Sequence, residues 1–259
     1  MRLRTRIRTD LRSGKGARDD WGSEMTGHET SVLGLRRVAL LDGLSEAALA
    51  AIARECAWRH YVAGQRIVSR DADDRNVHFV VAGRVRATTY SRSGRQVTFR
   101  DQQAGDFLGE VAAIDGLPRS VDVVALESTL VASMTPAAFE RLLQEQPLVA
   151  GRVLRRLAGL VRGLSERVID LSTLGVQNRI HAELLRLARA AGVRDNTARI
   201  DPAPPHADIA SQVSTYREQV TRELSALVKT GLLAKDRRAL VVLDVARLGR
   251  LVEEVRGAA

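Results

Sequence analysis

Three changes of texture along the 259 residues predict an α+β fold of two domains. From about Trp58 to Thr135, short Val/Ile/Phe/Thr-rich runs alternate with glycine turns, the pattern of an all-β barrel or roll. From Pro147 to about Leu171, apolar residues recur every three or four positions, the pattern of one long helix. From Ala207 to Leu243 the order is helix, turn, helix, hairpin, which is a winged helix-turn-helix. The predicted boundaries are a polar arm over 1–30, a β-roll over 31–146, a dimerisation helix over 147–173 and the winged domain over 174–259.

Hydrophobic residues make up 45% of the chain but aromatics only 3%, so its cores must be built from Leu, Val, Ile and Ala. The net charge of +9 calls for an anionic partner, nucleic acid or a membrane surface, without choosing between them. Cys56 is the only cysteine, which excludes a disulfide framework and a cysteine-ligated cluster; it reads as a small buried apolar residue. No apolar run approaches the roughly 18 residues of a spanning helix. Residues 1–24 are Arg-rich with no apolar period and read as a disordered basic arm, with Met25 as an alternative start. The arm lacks the apolar core of a secretory signal, and the expected compartment is the cytoplasm.

Organised sequence begins near Ser31. Leu44 to Ala53 has helical apolar spacing with Ser45 as its N-cap. His78-Phe79-Val80-Val81 and Val85 to Tyr90 are strands joined at Ala82-Gly83-Arg84, and Gln96 to Phe99 and Ser120 to Ala125 are others. His78 reads as a half-buried strand histidine, with a metal or haem ligand as the alternative. On the long helix, Val153, Leu157, Leu160, Leu164 and Val168 or Leu171 form a stripe narrow enough for a coiled-coil seam, which predicts a parallel homodimer. Leu174-Gly175-Val176 reads as a hinge. Beyond it come a helix over Asn178 to Ala191, a stiff loop at Asp201 to Pro205, and short helices over Ala207 to Val213 and Tyr216 to Lys229. Gly231 stops the last of these, the strands flanking Asp236-Arg237-Arg238 make a hairpin, and a final helix spans about Val245 to Val255.

Inside the β segment lies Gly105-Asp106-Phe107-Leu108-Gly109-Glu110-Val111-Ala112-Ala113-Ile114, then Asp115-Gly116-Leu117-Pro118-Arg119-Ser120. Glycine followed by a short helical run exposes backbone N–H groups to an anion, and Arg119 offers a planar fork to the same anion. Glu110 would repel a phosphate, but it suits sugar hydroxyls as a hydrogen-bond acceptor. Phosphate, hydroxyl and cation together point to a nucleotide.

The run Gly-Glu-Val-Ala-Ala-Ile followed by Pro-Arg-Ser resembles the phosphate-binding cassette of cyclic-nucleotide-binding domains. Further on, Ile209-Ala210, Val213, Arg217-Glu218, Val220-Thr221-Arg222, Leu224, Leu227 and Gly231-Leu232 resemble the reading head of Crp/Fnr transcription regulators. The resemblance covers roughly residues 35–245 in the family order, and is nearest to the cyclic-nucleotide-binding catabolite activator branch. It implies that Gly109, Glu110, Val111 and Ala112 bind the sugar side of cAMP or cGMP, and that Arg119 and Ser120 hold the cyclic phosphate. It places the base against the long helix at Leu164 and Ser165, where the branch has a Thr–Ser pair. Leu164 cannot hydrogen-bond an adenine amine, so base identity stays open.

For the reading head the resemblance implies that Arg217, Glu218 and Arg222 face the major groove. The chemistry agrees: Arg forks to guanine O6 and N7, and Glu accepts from cytosine N4. Thr221 shares that face by i, i+4 spacing. Thr215, at the turn before this helix, is counted with the DNA-binding residues, and Glu218, three residues after it, allows a capping box instead. Tyr216 stands where the pattern has Ser, and is a phosphate contact or simple packing; Arg237 and Arg238 are phosphate contacts or a plain surface turn. The implied partners are double-stranded DNA, RNA polymerase and a second copy of the chain, with no membrane and no metal. The implied role is a ligand-controlled DNA-binding regulator rather than an enzyme. The alternatives are a regulator of the same type that is ligand-independent or senses haem or redox state, and a nucleotide-binding regulatory subunit of an enzyme.

Overall fold

The computed structural model describes residues 32–70, 72–90 and 96–256. The arm over 1–30 and the alternative start at Met25 lie outside the described residues.

In chain order the first domain comprises helix α1 (Glu46–Glu55) and strands β1 (Ala57–Tyr61), β2 (Arg66–Val68), β3 (Val77–Ala82), β4 (Arg84–Tyr90), β5 (Gln96–Gln103) and β6 (Phe107–Leu108). Helix α2 (Glu110–Asp115), strands β7 (Asp122–Ala125) and β8 (Thr129–Met134), and helix α3 (Pro136–Glu145) follow. Ser45 caps α1 as expected, its hydroxyl accepting from the Ala48 amide at 3.2 Å. The strands form two four-stranded antiparallel sheets, β1-β8-β3-β6 and β2-β7-β4-β5. The junction at Gly83 is therefore not a hairpin: β3 and β4 belong to different sheets, and the chain turns a corner between them. Gly83 has φ +85, and a Cβ there would lie 2.5 Å from the Ser128 carbonyl oxygen, so only glycine makes this corner without strain.

Strand β3 is buried on both faces, which explains a near-continuous apolar run interrupted only by the buried His78. Phe79 and Val81 pack with Leu35, Leu40, Leu41, Met134 and Phe139 under the helices. Val80 turns the other way and joins Val68, Val85, Leu108 and Val123 inside the roll.

Helix α4 (Pro147–Thr173) runs 27 residues, about 40 Å at 1.5 Å per residue. Val153 and Leu157, expected in a dimer seam, instead pack into the roll's own core. Further along, Val161, Leu164, Val168 and Leu171 stand exposed at three- and four-residue spacing, with exposed Leu154 seven positions before Val161. The exposed apolar stripe thus runs through Val161 rather than Leu160.

The second domain comprises α5 (Val176–Ala191), β9 (Val193–Arg194), β10 (Thr197–Ile200), α6 (His206–Gln212), α7 (Arg217–Lys229), β11 (Leu233–Asp236), β12 (Ala239–Val242) and α8 (Val245–Arg256). Its core gathers Ile180, Leu184, Ile209, Val220, Leu224, Leu232 and Leu248. The wing is a four-stranded sheet, β11-β12-β10-β9, wider than the hairpin read from sequence. The extra pair turns at Asp195 and Asn196, both at positive φ, a conformation these short polar residues tolerate.

The two domains dock through α6, which lies against β5. The Arg86 guanidinium forks onto Asp101 at 2.7 and 2.8 Å and also donates to Asp208 of α6 at 2.9 Å. The Thr98 and Ser211 hydroxyls pair at 2.8 Å in a buried contact. From α4, Arg167 donates to the carbonyls of Thr98 and Gln212, both at 2.9 Å, so one side chain ties the roll, the long helix and the end of α6 together. Arg179 of α5 adds a bond to the Val213 carbonyl at 3.0 Å. Guanidiniums at these last carbonyls complement the negative end of the helix.

Candidate anion pocket and nucleic-acid interface

Gly109 opens α2 in the left-handed region, with φ 92. A Cβ there would lie 2.6 Å from the Asn76 carbonyl oxygen and also meet the Arg119 guanidinium, so the position requires glycine. Glu110 follows at 3% exposure and Ala112 at 5%, while Val111 and Ser120 face outward. A carboxylate this deep demands partners of opposite charge or with hydroxyl donors. Sequence reasoning left one such partner unseen: the positive charge of Arg100 on β5 lies within electrostatic reach of Glu110.

Arg119 does not lie open to an anion. It is 5% exposed, and its Nε donates to the Asp74 carbonyl at 2.6 Å, while its two Nη atoms donate to Asn76 at 2.6 Å and Gly109 at 3.2 Å. The Asp74 carboxylate is 3.4 Å away. In this conformation Arg119 braces the loop before β3 and the turn before α2, fixing the cassette from beneath. Burial draws its pKa down, opposed by Asp74 and Glu110.

His78 is fully buried rather than half-buried. Its Nδ1 pairs with Ser133 Oγ at 2.8 Å, and its Nε2 lies 3.4 Å from both Asp74 Oδ2 and Arg119 Nη2. An Nε2–H tautomer donating toward Asp74 satisfies this arrangement, since the guanidinium cannot accept. Both ring nitrogens are engaged, so haem ligation through His78 would break an existing network. Among the described residues no group of three or more His, Cys, Asp or Glu is placed to hold a metal ion.

Asp74 is held down at about 2, first by its hydrogen bond with His78, then by the Asn76 amide and the charges of His78 and Arg119, against a burial penalty. A lowered carboxylate contributes stability that is present above the unfolded value near 3.8 and lost as the pH falls through about 2. Urea unfolding of wild type and Asp74→Asn should therefore show a constant gap above pH 5 that closes between pH 4 and 2. A gap independent of pH would remove Asp74 from the brace.

Cys56, read from sequence as buried, is partly buried against the main core, and burial, followed by the neighbouring Glu55, pushes its thiol up to about 12. A cavity of about 630 Å³ lies at the domain junction, with Phe99, Asp101, Glu166, Arg167, Glu183 and Arg186 in its wall. Neither Glu110 nor Arg119 lines it, so it is a gap between domains and not the cassette pocket. Leu164 and Ser165 are exposed on α4, and the Ser165 hydroxyl donates to the Val161 carbonyl at 3.0 Å.

On α7, Val220, Leu224 and Leu227 face the core, and Arg217, Glu218, Thr221 and Arg222 stand exposed on the opposite side. The Thr221 hydroxyl donates to the Arg217 carbonyl at 3.0 Å and is 2.7 Å from His206 Nδ1, which links α7 to the start of α6. The alternative capping box for Glu218 is absent: the helix is capped at Tyr216 with no side-chain bond, and buried Thr215 pairs with Gln219 instead of Glu218. Glu218 is thereby left on the exposed face, whereas Thr215, expected among the DNA contacts, is 5% exposed and positions the turn from inside. Tyr216 is exposed beside that face. At the wing tip, Arg237 takes a positive φ of 52, and Arg238, largely exposed, pairs with Asp201 at 2.8 Å.

Residues 58–146 match the cyclic nucleotide-binding domain family, and residues 178–251 match the Crp-like helix-turn-helix domain family. A "CRP-like cAMP-activated global transcriptional regulator" of Mycobacterium tuberculosis is 23% identical over 217 residues, covering 83% of this chain and 97% of that protein. The "cAMP-activated global transcriptional regulator CRP" of Salmonella typhimurium is 25% identical over 188 residues, covering 72% and 90%. Among solved structures, a CooA mutant from Carboxydothermus hydrogenoformans shares the fold, with a TM-score of 0.70 and 19% identity over 82% of this chain and 92% of that one.

Proposed function

We propose that this chain, which belongs to the Crp/Fnr family of transcription regulators, is a gene switch whose β-roll binds a cyclic nucleotide and so sets the two recognition helices of a homodimer on a palindromic DNA site. The single observation that carries the reading is the exposed face of α7, where Arg217, Glu218, Thr221 and Arg222 stand together over a fully apolar underside. Arg and Glu are the side chains that read G·C pairs in the major groove. Tyr216, Arg237 and Arg238 flank that face and serve the phosphates. The domains and relatives are those of a regulator and not of an enzyme.

Glu110 takes the ribose hydroxyl, with Gly109, Val111, Ala112 and Ser120 around it. Arg119 acts first as the brace of the cassette, and reaches a phosphate by exchanging one carbonyl for it. Leu164 and Ser165 approach the base when two α4 helices pair. The effector is cAMP, the nucleotide in the names of the Mycobacterium and Salmonella relatives, or cGMP. The protein works on DNA in the cytoplasm, with RNA polymerase as its further partner.

Calorimetry with cAMP and with cGMP, each with and without a palindromic duplex, tests the switch. Nucleotide should tighten duplex binding about 5–150-fold, the usual range of coupling between two sites. Equal duplex affinity with and without either nucleotide would end the ligand-controlled reading. Arg222→Ala should cost about 1–3 kcal/mol of duplex affinity and relax preference at one base pair per half-site. A loss shared evenly by all sequences would make Arg222 a phosphate contact instead.

A further inference from the structure

Among the described residues, four buried side-chain nitrogens have no hydrogen-bond acceptor, and three of them belong to two arginines: Nε of Arg100 on β5, and Nε and one Nη of Arg156 on α4. Neither arginine closes an ion pair among the described residues. Arg156 lies over the Phe107 ring, 5.6 Å from its centroid, just before the cassette. The Arg100 guanidinium is weakened first by burial and then by the charge of Arg156, with Glu110 and Asp106 acting the other way. Two cations from two different elements therefore converge beside Glu110 with donors unspent.

Leaving such groups unmatched is costly. A buried donor without an acceptor costs about 1–3 kcal/mol, more when charged, and two like charges in a partly desolvated site add repulsion. The contrast with Arg119 is informative, because that side chain spends its donors on three backbone carbonyls. Arg100 and Arg156 keep theirs. A guanidinium fork matches a phosphoryl group in shape, charge and direction.

We propose that Arg100 and Arg156 form the far side of the phosphoryl-anion site, between β5 and α4 beside Glu110, facing the one cyclic phosphate that Arg119 and Ser120 approach from the cassette, a side the sequence motifs of the cassette do not point to. It deepens the cyclic-nucleotide reading and rests on it for the identity of the ligand. Without the anion, the two cations repel each other across the β5–α4 contact that Arg167 holds closed. With it, they are bridged, and the roll is drawn onto the long helix that carries the dimer face.

The test uses the full-length protein, with Arg100→Gln and Arg156→Gln, and with Arg156→Lys as a control that keeps charge but loses the fork. Calorimetry with cAMP and cGMP is read together with thermal unfolding of the free protein, and inorganic pyrophosphate is added as a non-nucleotide probe. Each Gln variant should bind the nucleotide at least about tenfold more weakly, a loss of about 1.4 kcal/mol. Its Tm without ligand should stay level or rise, because a buried repulsion is gone. Arg156→Lys should fall between wild type and Arg156→Gln in affinity.

Unchanged nucleotide affinity in both Gln variants overturns the subsite and leaves the nucleotide reading standing. Affinity that falls only in step with Tm also overturns it, since a structural arginine does that. If wild type ignores both nucleotides while pyrophosphate raises its Tm and not that of the variants, the anion subsite stands and the cyclic-nucleotide reading falls. If wild type responds to none of the three probes, both fall.

Discussion

A Val161→Glu, Val168→Glu double variant is expected to be a monomer that keeps its fold and loses palindromic DNA binding by about 10²–10⁴-fold, the factor that bivalency contributes. Both valines lie in the exposed stripe of α4, at 64% and 62% exposure, so neither change disturbs the core of a single chain. In a paired helix each would place a carboxylate inside an apolar seam, where an unpaired charge is not tolerated. Sedimentation velocity gives the oligomeric state, and fluorescence anisotropy on full and half sites gives the affinity. Half-site binding should survive, because the reading face of α7 is distant in sequence and built on its own core. A double variant that still sediments as a dimer would place the dimer contact elsewhere.

The second large effect is expected at the contact between the domains. Arg86→Met removes a guanidinium with a side chain 9% exposed and leaves Asp101 and Asp208 facing each other. Losing one partner of a wholly buried pair costs about 3–5 kcal/mol, but these carboxylates are a third or more exposed, so a docking loss of about 1–3 kcal/mol is expected here. The released domain should be cut faster by protease at residues 174–176, where α4 ends and α5 begins. The ratio of duplex affinities with and without nucleotide should fall toward one, since the reading head no longer follows the roll. Wild-type cleavage rates together with an unchanged ratio would show that Arg86 does not couple the domains.

Much of the architecture was legible in the chain because local chemistry announces it. Ser45 caps α1, Gly231 ends α7, and Leu174-Gly175 separates α4 from α5. The cassette and the reading face were legible for a similar reason: turn, short helix and recognition helix are each written within a dozen residues. What stayed hidden depends on distance in sequence. Thr98 meets Ser211, and Arg86 meets Asp208, across more than a hundred positions. No periodicity marks such pairs. Arg119 looked like a free cation because the carbonyls that hold it, at Asp74 and Asn76, belong to a loop more than forty residues earlier. Spacing alone also allowed Glu218 to cap the helix from Thr215, yet Thr215 pairs with Gln219. The β9–β10 pair was missed although Asp195-Asn196 is a recognisable turn, because its flanking strands are too short to show alternation.

The docking of α6 on β5 also bears on how such proteins can be recombined. If each domain were autonomous, a recognition helix from another regulator could be grafted at α7 alone to redirect this roll to new genes. Asp208 and Ser211, however, lie on the helix before it and answer to Arg86 and Thr98 in the roll. A working hybrid must therefore keep α6 native and exchange only the outward side chains of α7, or import a matching β4–β5 edge with the foreign head. The unit of exchange is the interface, not the domain.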